Sequence, residues 1–190
     1  MNADDLQRAV ATTRTVLAAV RPAQLDNQTP CGSWTVCDLI IHMIDAPIFT
    51  AVVMETGDWA NHSYDPIDPA VGDYLARYDA ATSRLVAAFR TEGAGSKMVK
   101  MPVVGPLPGA SLNTAATCDA FVHGWDLAKA TGVPTDLDPE FATAVLYAIR
   151  PLVTEEMRGS EGKALFGLEV KVPLDASPAD KLAGFLGRRP

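Results

Sequence analysis

Apolar positions recur at three- and four-residue intervals in several separate stretches of the chain, the spacing that gives a helix one buried face. Leu6, Val10, Leu17 and Val20 predict a first helix from about Ala3 to Val20. Asp4 and Asp5 suit its positive end and Pro22 closes it. A second helix begins after Pro30 and Gly32, where Thr35 and Asp38 have the Thr-x-x-acid form of a helix start. Leu39, His42, Ala46 and Phe49 then fall on one face, and the spacing resumes through Val52 and Val53. Pro47 removes a backbone donor inside this helix, which predicts a kink near Met43 or an early break.

Asp68-Pro69 reads as an N-cap followed by proline at the first helical position. It opens a third helix with Val71, Tyr74, Leu75, Tyr78, Leu85 and Phe89 turned inward. A fourth runs from about Ser111 to Thr131, with Gly132 placed to cap its end. A fifth starts at Asp138-Pro139-Glu140, and a short last one follows Ser177-Pro178-Ala179-Asp180. Alternation is confined to two short runs, Lys97 to Met101 and Leu168 to Val172, which could pair into a small ribbon beside the helices. The pattern predicts an all-α, single domain over 1–190, a bundle over about 3–157 with a C-terminal extension over about 158–190.

Composition narrows the function classes. With 190 residues, 48% of them hydrophobic, the chain can bury a sizeable core. A net charge of −7 and the absence of a basic run argue against a nucleic-acid partner. The N-terminus has no cationic start or apolar core of a signal peptide, and no uninterrupted apolar stretch approaches membrane length. The expectation is therefore a cytoplasmic protein with no membrane contact. Three cysteines, Cys31, Cys37 and Cys118, are an odd number at no recognised zinc-finger spacing, which fits reduced thiols. The ordinary reading of each is a small buried hydrophobe, favoured for Cys37, and Cys118 points about 100° away from Asp119 around the helix.

Chemistry enters through the fourth helix. Asp119 and His123 are four apart on the face that carries Leu112, Ala116, Leu127 and Ala130. A carboxylate and an imidazole in an apolar stripe must find partners. A metal ion would satisfy both; so would a hydrogen bond between them, or polar groups on another helix. His42 adds a second imidazole on another buried stripe, as in metal sites shared between bundle helices. Asp126, three residues after His123, can orient that imidazole or form an ordinary salt bridge. His62 falls in a polar loop with Trp59 and Tyr64, where a solvated role and a substrate contact on a lid are the two readings. Tyr74 and Tyr78 either reach the pocket or bond to backbone. Trp34 and Trp125 read as packing residues.

The motifs Thr-Pro-Cys-x-x-Trp-x-Val-x-Asp-Leu-x-x-His, from Thr29, and Asp-x-x-x-His-Gly-Trp-Asp-Leu-Ala, from Asp119, resemble the DinB-like superfamily. Within it the chain is most similar to the actinobacterial metal-binding branch related to the N-terminal domain of mycothiol-dependent maleylpyruvate isomerase. The C-terminal stretch from Ala176 to Pro190 shares the likeness. The resemblance implies a four-helix bundle with a divalent metal held by His42, Asp119 and His123. In that family the middle ligand is His in some branches and Glu in the isomerase. Asp119, one methylene shorter than Glu, is the departure from the pattern.

Two imidazoles and one carboxylate leave coordination positions open, as in a catalytic site. Zinc is the default ion, with nickel and iron compatible. An open zinc can hold a thiol as thiolate at neutral pH. The resemblance supplies the thiol, mycothiol, and so implies a metal- and mycothiol-dependent S-transferase or isomerase acting on a small electrophile. The alternative is a non-catalytic metal-binding or stress-response protein whose ion stabilises the bundle. A third reading has no metal, the polar groups satisfying each other. Relatives with this bundle are often homodimers.

Overall fold

A computed structural model describes residues 1–62, 73–160 and 163–190. Four long helices form its body: α1 (Ala3–Leu17), α2 (Val36–Thr56), α3 (Tyr74–Arg90) and α4 (Gly109–Thr131). Between α3 and α4 lies a two-stranded antiparallel ribbon, β1 (Met98–Met101) with β2 (Gly105–Pro108). Two shorter helices, α5 (Pro139–Ile149) and α6 (Pro178–Phe185), pack onto one side. The architecture is all-α, as the spacing predicted.

Local chemistry sets the helix ends. Asn2 and Asp5 form a reciprocal capping box at the start of α1, and Thr35 and Asp38 form another at the start of α2. Asp138 and Ser177 cap α5 and α6 through their side chains. Gly57 and Gly132 end α2 and α4 in the left-handed region that glycine enters without a Cβ penalty. Asp73 caps α3. The start expected at Asp68-Pro69, together with Tyr64 and Val71, lies outside the described residues.

Of the kink or early break expected at Pro47, the break does not occur: α2 runs to Thr56. One lost backbone donor is outweighed by the burial of Leu39, Ile40, Met43, Ile44, Ala51 and Val53 along the same helix. By length and mean hydropathy, 1.8, α2 is apolar enough to cross a membrane, although Asp38, His42 and Asp45 interrupt its apolar run as the sequence reading had it. Half of that apolar window is buried inside the fold, which accounts for its composition.

The four helices are arranged so that α1 touches α3 and α4, and α2 touches the same two. The N-terminus meets Thr114 and Thr13 meets Ala120, so α1 and α4 run in the same direction. In α2 and α3, Met43 and Ile44 share a cluster with Tyr78 and Ala81, and Glu55 pairs with Arg84, so these two are also parallel. Arg14 with Asp79 and Arg90 with Asp4 show α1 and α3 antiparallel. Close approach of α1 to α4 depends on Gly124, where a Cβ would fall 2.3 Å from Oγ1 of Thr13.

The ribbon corrects a second expectation. Lys97–Met101 does supply a strand, but its partner is the neighbouring Gly105–Pro108 segment rather than Leu168–Val172. A hairpin next in the chain closes with less entropy loss than a pairing across some seventy residues. The Leu168–Val172 segment instead lies against α6, with Val170 N donating to Gly184 O at 2.9 Å. Arg158 donates to the carbonyls of Gly167 and Phe185, holding the two segments together. The C-terminal tail, carrying Arg188, is thereby led back to Asp126 in the C-terminal half of α4.

Candidate metal centre

His42 on α2 and Asp119 and His123 on α4 converge. Nε2 of His42 lies 3.6 Å from Oδ1 of Asp119, and Nε2 of His123 lies 3.3 Å from the same oxygen. The two imidazole rings meet edge to face with centroids 4.7 Å apart. Ligand atoms of these three residues all lie within 4.8 Å of one another. Zinc bonds of about 2.0–2.2 Å in a tetrahedron put neighbouring ligands roughly 3.3–3.6 Å apart. The donor set and its spacing fit a divalent cation.

Nε2 of His42 is buried and has no hydrogen-bond partner among the described residues. Such an atom is costly to leave unsatisfied. Nε2 of His62 is in the same state 3.4 Å from Asp45, so what sets His42 apart is its place beside Asp119 and His123, where a cation would use its lone pair.

His123 faces two ways. While Nε2 points to Asp119, Nδ1 lies 2.9 Å from Oδ2 of Asp126, whose side chain is fully buried. Asp126 therefore fixes the imidazole, in the orienting role its spacing allowed. Arg188 grips the same carboxylate, with Nη2 3.0 Å from Oδ2 and Nε 3.2 Å from Oδ1. Cys31 donates its thiol to Oδ2 of Asp126 at 2.9 Å and lies 3.7 Å from Nδ1 of His123.

The charges hold one another. Burial disfavours a charged His123, but Asp119, then Asp126 and Cys31, outweigh burial and raise its pKa well above the usual imidazole value. Burial works against ionised Asp119 as well, and His123 and His42 more than offset it, keeping the carboxyl below its ordinary range. A metal ion entering this cluster must displace the imidazole proton.

Beside the cluster opens a cavity of about 970 Å³ between α1, α2, α3 and α4 on one side and the loops around Cys31 and Phe166 on the other. Trp34 borders it, its ring centroid 4.9 Å from that of His42 and 6.2 Å from that of His123. Trp34 is thus a wall of the site, whereas Trp125 is core, its Nε1 donating to Asp180 at 2.8 Å. Tyr78 and Tyr74 donate their hydroxyls to the backbone carbonyls of Val10 and Val20 at 3.3 Å. Neither hydroxyl is shared with the metal cluster. Cys118 is buried as expected, with its thiol pushed up to about 12 chiefly by burial. Cys37 is half-buried rather than buried.

Two expectations change here. His62 is no solvated loop residue: its side chain is 11% exposed, its Nε2 lies 3.4 Å from Asp45 and its ring packs edge-on against Phe49. Contacts with Phe49 and Asp45 of α2 take the place of solvent around the ring. Cys31 is not a passive hydrophobe but a member of the polar network behind His123. Arg188 was not anticipated. Its signal was indirect: Asp126 in a buried stripe demands a cation from somewhere in the chain.

Comparison with known proteins places these residues in context. The family model of the mycothiol maleylpyruvate isomerase N-terminal domain matches residues 6–128, which include all three cluster residues. Two Mycobacterium tuberculosis sequences, uncharacterized protein MT0763 of strain CDC 1551 / Oshkosh and uncharacterized protein Rv0738 of strain H37Rv, are each 41% identical over 183 residues. The alignment spans 96% of this chain and 94% of theirs. The crystal structure of the mycothiol-dependent maleylpyruvate isomerase superposes with a TM-score of 0.62 at 18% identity, covering 81% of this chain and 70% of that one. A histidine-to-alanine mutant of that enzyme gives 0.60 at 17% identity over the same shares. At such identities the likeness speaks for the fold, which is the all-α, DinB-like bundle that the motifs implied.

Proposed function

Because the chain belongs to the mycothiol maleylpyruvate isomerase N-terminal domain family, we propose that it binds a divalent metal and uses a low-molecular-weight thiol on a small electrophile. Mycothiol is the thiol by analogy with the isomerase, and the reaction is S-transfer or isomerisation. His42, Asp119 and His123 would hold the ion, with zinc the default and nickel or iron served by the same donors. The observation that carries this reading is the buried, unpartnered Nε2 of His42 beside Asp119 and His123, at the edge of a cavity large enough for a reactant.

When bound, the ion supplies a Lewis-acid centre that keeps a thiol ionised at neutral pH. The chain's own residues do the rest. Asp126 accepts from Nδ1 of His123, which leaves the Nε2 lone pair directed at the cluster. Arg188 neutralises Asp126 and keeps that carboxylate in place. Trp34 and the apolar cavity wall keep water from a nucleophilic sulfur.

The test is elemental analysis of protein purified without an affinity tag, followed by a thiol-transfer screen with mycothiol. Stoichiometric metal and thiol-dependent consumption of an electrophile are expected, both lost in His42→Ala and His123→Ala with helicity retained. Metal-free protein whose melting is unchanged by added zinc or by chelation would remove the reading.

A second reading has an observation of its own. The chain of contacts from His123 through Asp126 to Arg188 ties the cluster to the C-terminal tail, as a structural ion would require. A non-catalytic or stress-response protein of that kind predicts a lower melting temperature on chelation and no thiol-dependent turnover.

A further inference from the structure

The cavity changes character along its length. Its charged side chains among the described residues, His42, Asp119, His123 and Arg188, gather at one end, linked through Asp126 and bordered by Trp34. Because α2 and α4 run in opposite directions, going forward from His42 and back from His123 leads to the same place. There Phe49, Leu85, Leu112 and Met101 line the cavity as members of one apolar cluster. Leu112 precedes Asp119 and His123 on α4 by seven and eleven residues, about 10–16 Å at a rise of about 1.5 Å per residue.

Between the two ends the lining is small. Ala46 lies between His42 and Phe49 on α2, and Ala115 and Ala116 lie between Leu112 and Asp119 on α4. On α1 and α3, Thr13, Thr82 and Tyr78 also line the cavity, and their hydroxyls donate to the backbone carbonyls of Ala120, Tyr78 and Val10. Helices of a bundle stand about 8–10 Å apart at their axes, so short side chains on both leave a strip about one chain wide. A ring or a branch must push the helices apart, whereas a single methylene chain passes between them. With bonds of about 1.5 Å in a zigzag, an extended chain needs about eight to twelve carbons to cover ~10–16 Å.

We propose that the electrophile of the thiol-transfer reading is a straight-chain amphiphile, its reactive head at the metal cluster and an unbranched alkyl tail of about eight to twelve carbons in this slot. The proposal rests on that reading for the head group's place and on the cavity alone for the tail. The charged end, which carries Arg188, is left to the thiol and to the polar part of the head. Removing each methylene of the tail from water supplies the affinity.

The experiment is calorimetric titration of the full-length protein, as purified, with the unreactive probes 1-hexanol, 1-octanol and 1-decanol, and with 3,7-dimethyl-1-octanol, a branched isomer of 1-decanol. Each buried methylene is expected to tighten binding roughly threefold, so 1-decanol should bind at least ~10-fold more tightly than 1-hexanol. The branched isomer is expected to bind more weakly than 1-decanol. Ala116→Phe, which places a ring in the slot, is expected to remove the gain beyond 1-hexanol. A gain below ~10-fold in the wild-type series, equal or tighter binding of the branched isomer, or no binding of 1-decanol up to its solubility limit overturns the proposal. So does a folded Ala116→Phe protein that keeps the full gain; if that variant does not fold, the wild-type series and the isomer pair decide alone. None of these titrations needs metal or turnover. A protein that shows the chain-length series but transfers no thiol loses the reaction and keeps the slot, and an active protein without the series does the reverse.

Discussion

Nδ1 of His123 lies 2.9 Å from Oδ2 of Asp126, and the Asp126 side chain is wholly excluded from solvent. Partners of this kind fix the tautomer and basicity of a ligating imidazole, and their loss typically weakens metal binding by about 10–100-fold. Asp126→Asn is expected to lower zinc affinity within that range while the protein stays helical. Competition with a chromophoric chelator measures it. An unchanged affinity would mean that Nδ1 needs no carboxylate.

The same carboxylate makes stability depend on pH. Burial alone would push the Asp126 carboxyl up, but Arg188 and then His123 outweigh it and hold the group at about 2, below its ordinary value of 3.8. A folded-state pKa below the unfolded one contributes stability that is present above about pH 4 and lost as pH falls toward about 2. The amount is roughly 2 kcal/mol. Urea midpoints across that window are expected to fall more for the wild-type protein than for Asp126→Asn.

Gly124 is the contact point of α1 and α4. In an ordinary helix interior, alanine is favoured over glycine by about 1 kcal/mol. Here a Cβ would lie 2.3 Å from Oγ1 of Thr13 and 3.2 Å from its Cα, which is backbone and cannot swing aside. Gly124→Ala is therefore expected to destabilise, by about 1–3 kcal/mol as overpacking usually does. Thr13→Ala removes the nearer atom, so the double variant should recover part of the loss in thermal melting. A stabilised Gly124→Ala would show that the two helices can separate freely.

The elements that the sequence made legible are those whose chemistry is local. Thr35 and Asp38 sit three residues apart and cap α2; Gly132, Asp138 and Ser177 end or start helices by conformations that their own side chains permit. The helical stripes of α2 and α4 likewise put His42, Asp119 and His123 on inward faces, and two imidazoles that must both find partners were readable as a meeting point. What escaped was long-range. Cys31 lies 95 residues from Asp126, and Arg188 lies 62 from it and 157 from Cys31. No periodicity encodes a pairing at such separations. Trp34 and His62 sit outside the long helices, where side-chain direction is set by what the neighbouring helix offers rather than by spacing. At Pro47 the early break that the local cost alone would give does not occur, because packing along the whole of α2 overrides it.

Arg188 is the last link between the C-terminal tail and the cluster, and its pairing with Asp126 can be isolated by a double-mutant cycle. Removing one member of a buried ion pair leaves the other uncompensated and costs about 3–5 kcal/mol. Arg188 is 14% exposed and Asp126 is not exposed at all, so salt screens the pair little and Arg188→Ala should destabilise by an amount in that range even at high ionic strength. Asp126→Asn removes the charge that Arg188 was neutralising, so adding it to Arg188→Ala is expected to return part of the lost stability. The double variant should therefore be more stable than the sum of the single losses allows, with the excess reporting the coupling. Chemical denaturation of all four proteins in chelator measures this term free of any contribution from bound metal. Simple additivity would show that Arg188 stabilises the tail through its contacts at Leu186 and Cys31 and has no electrostatic hold on the residue behind His123.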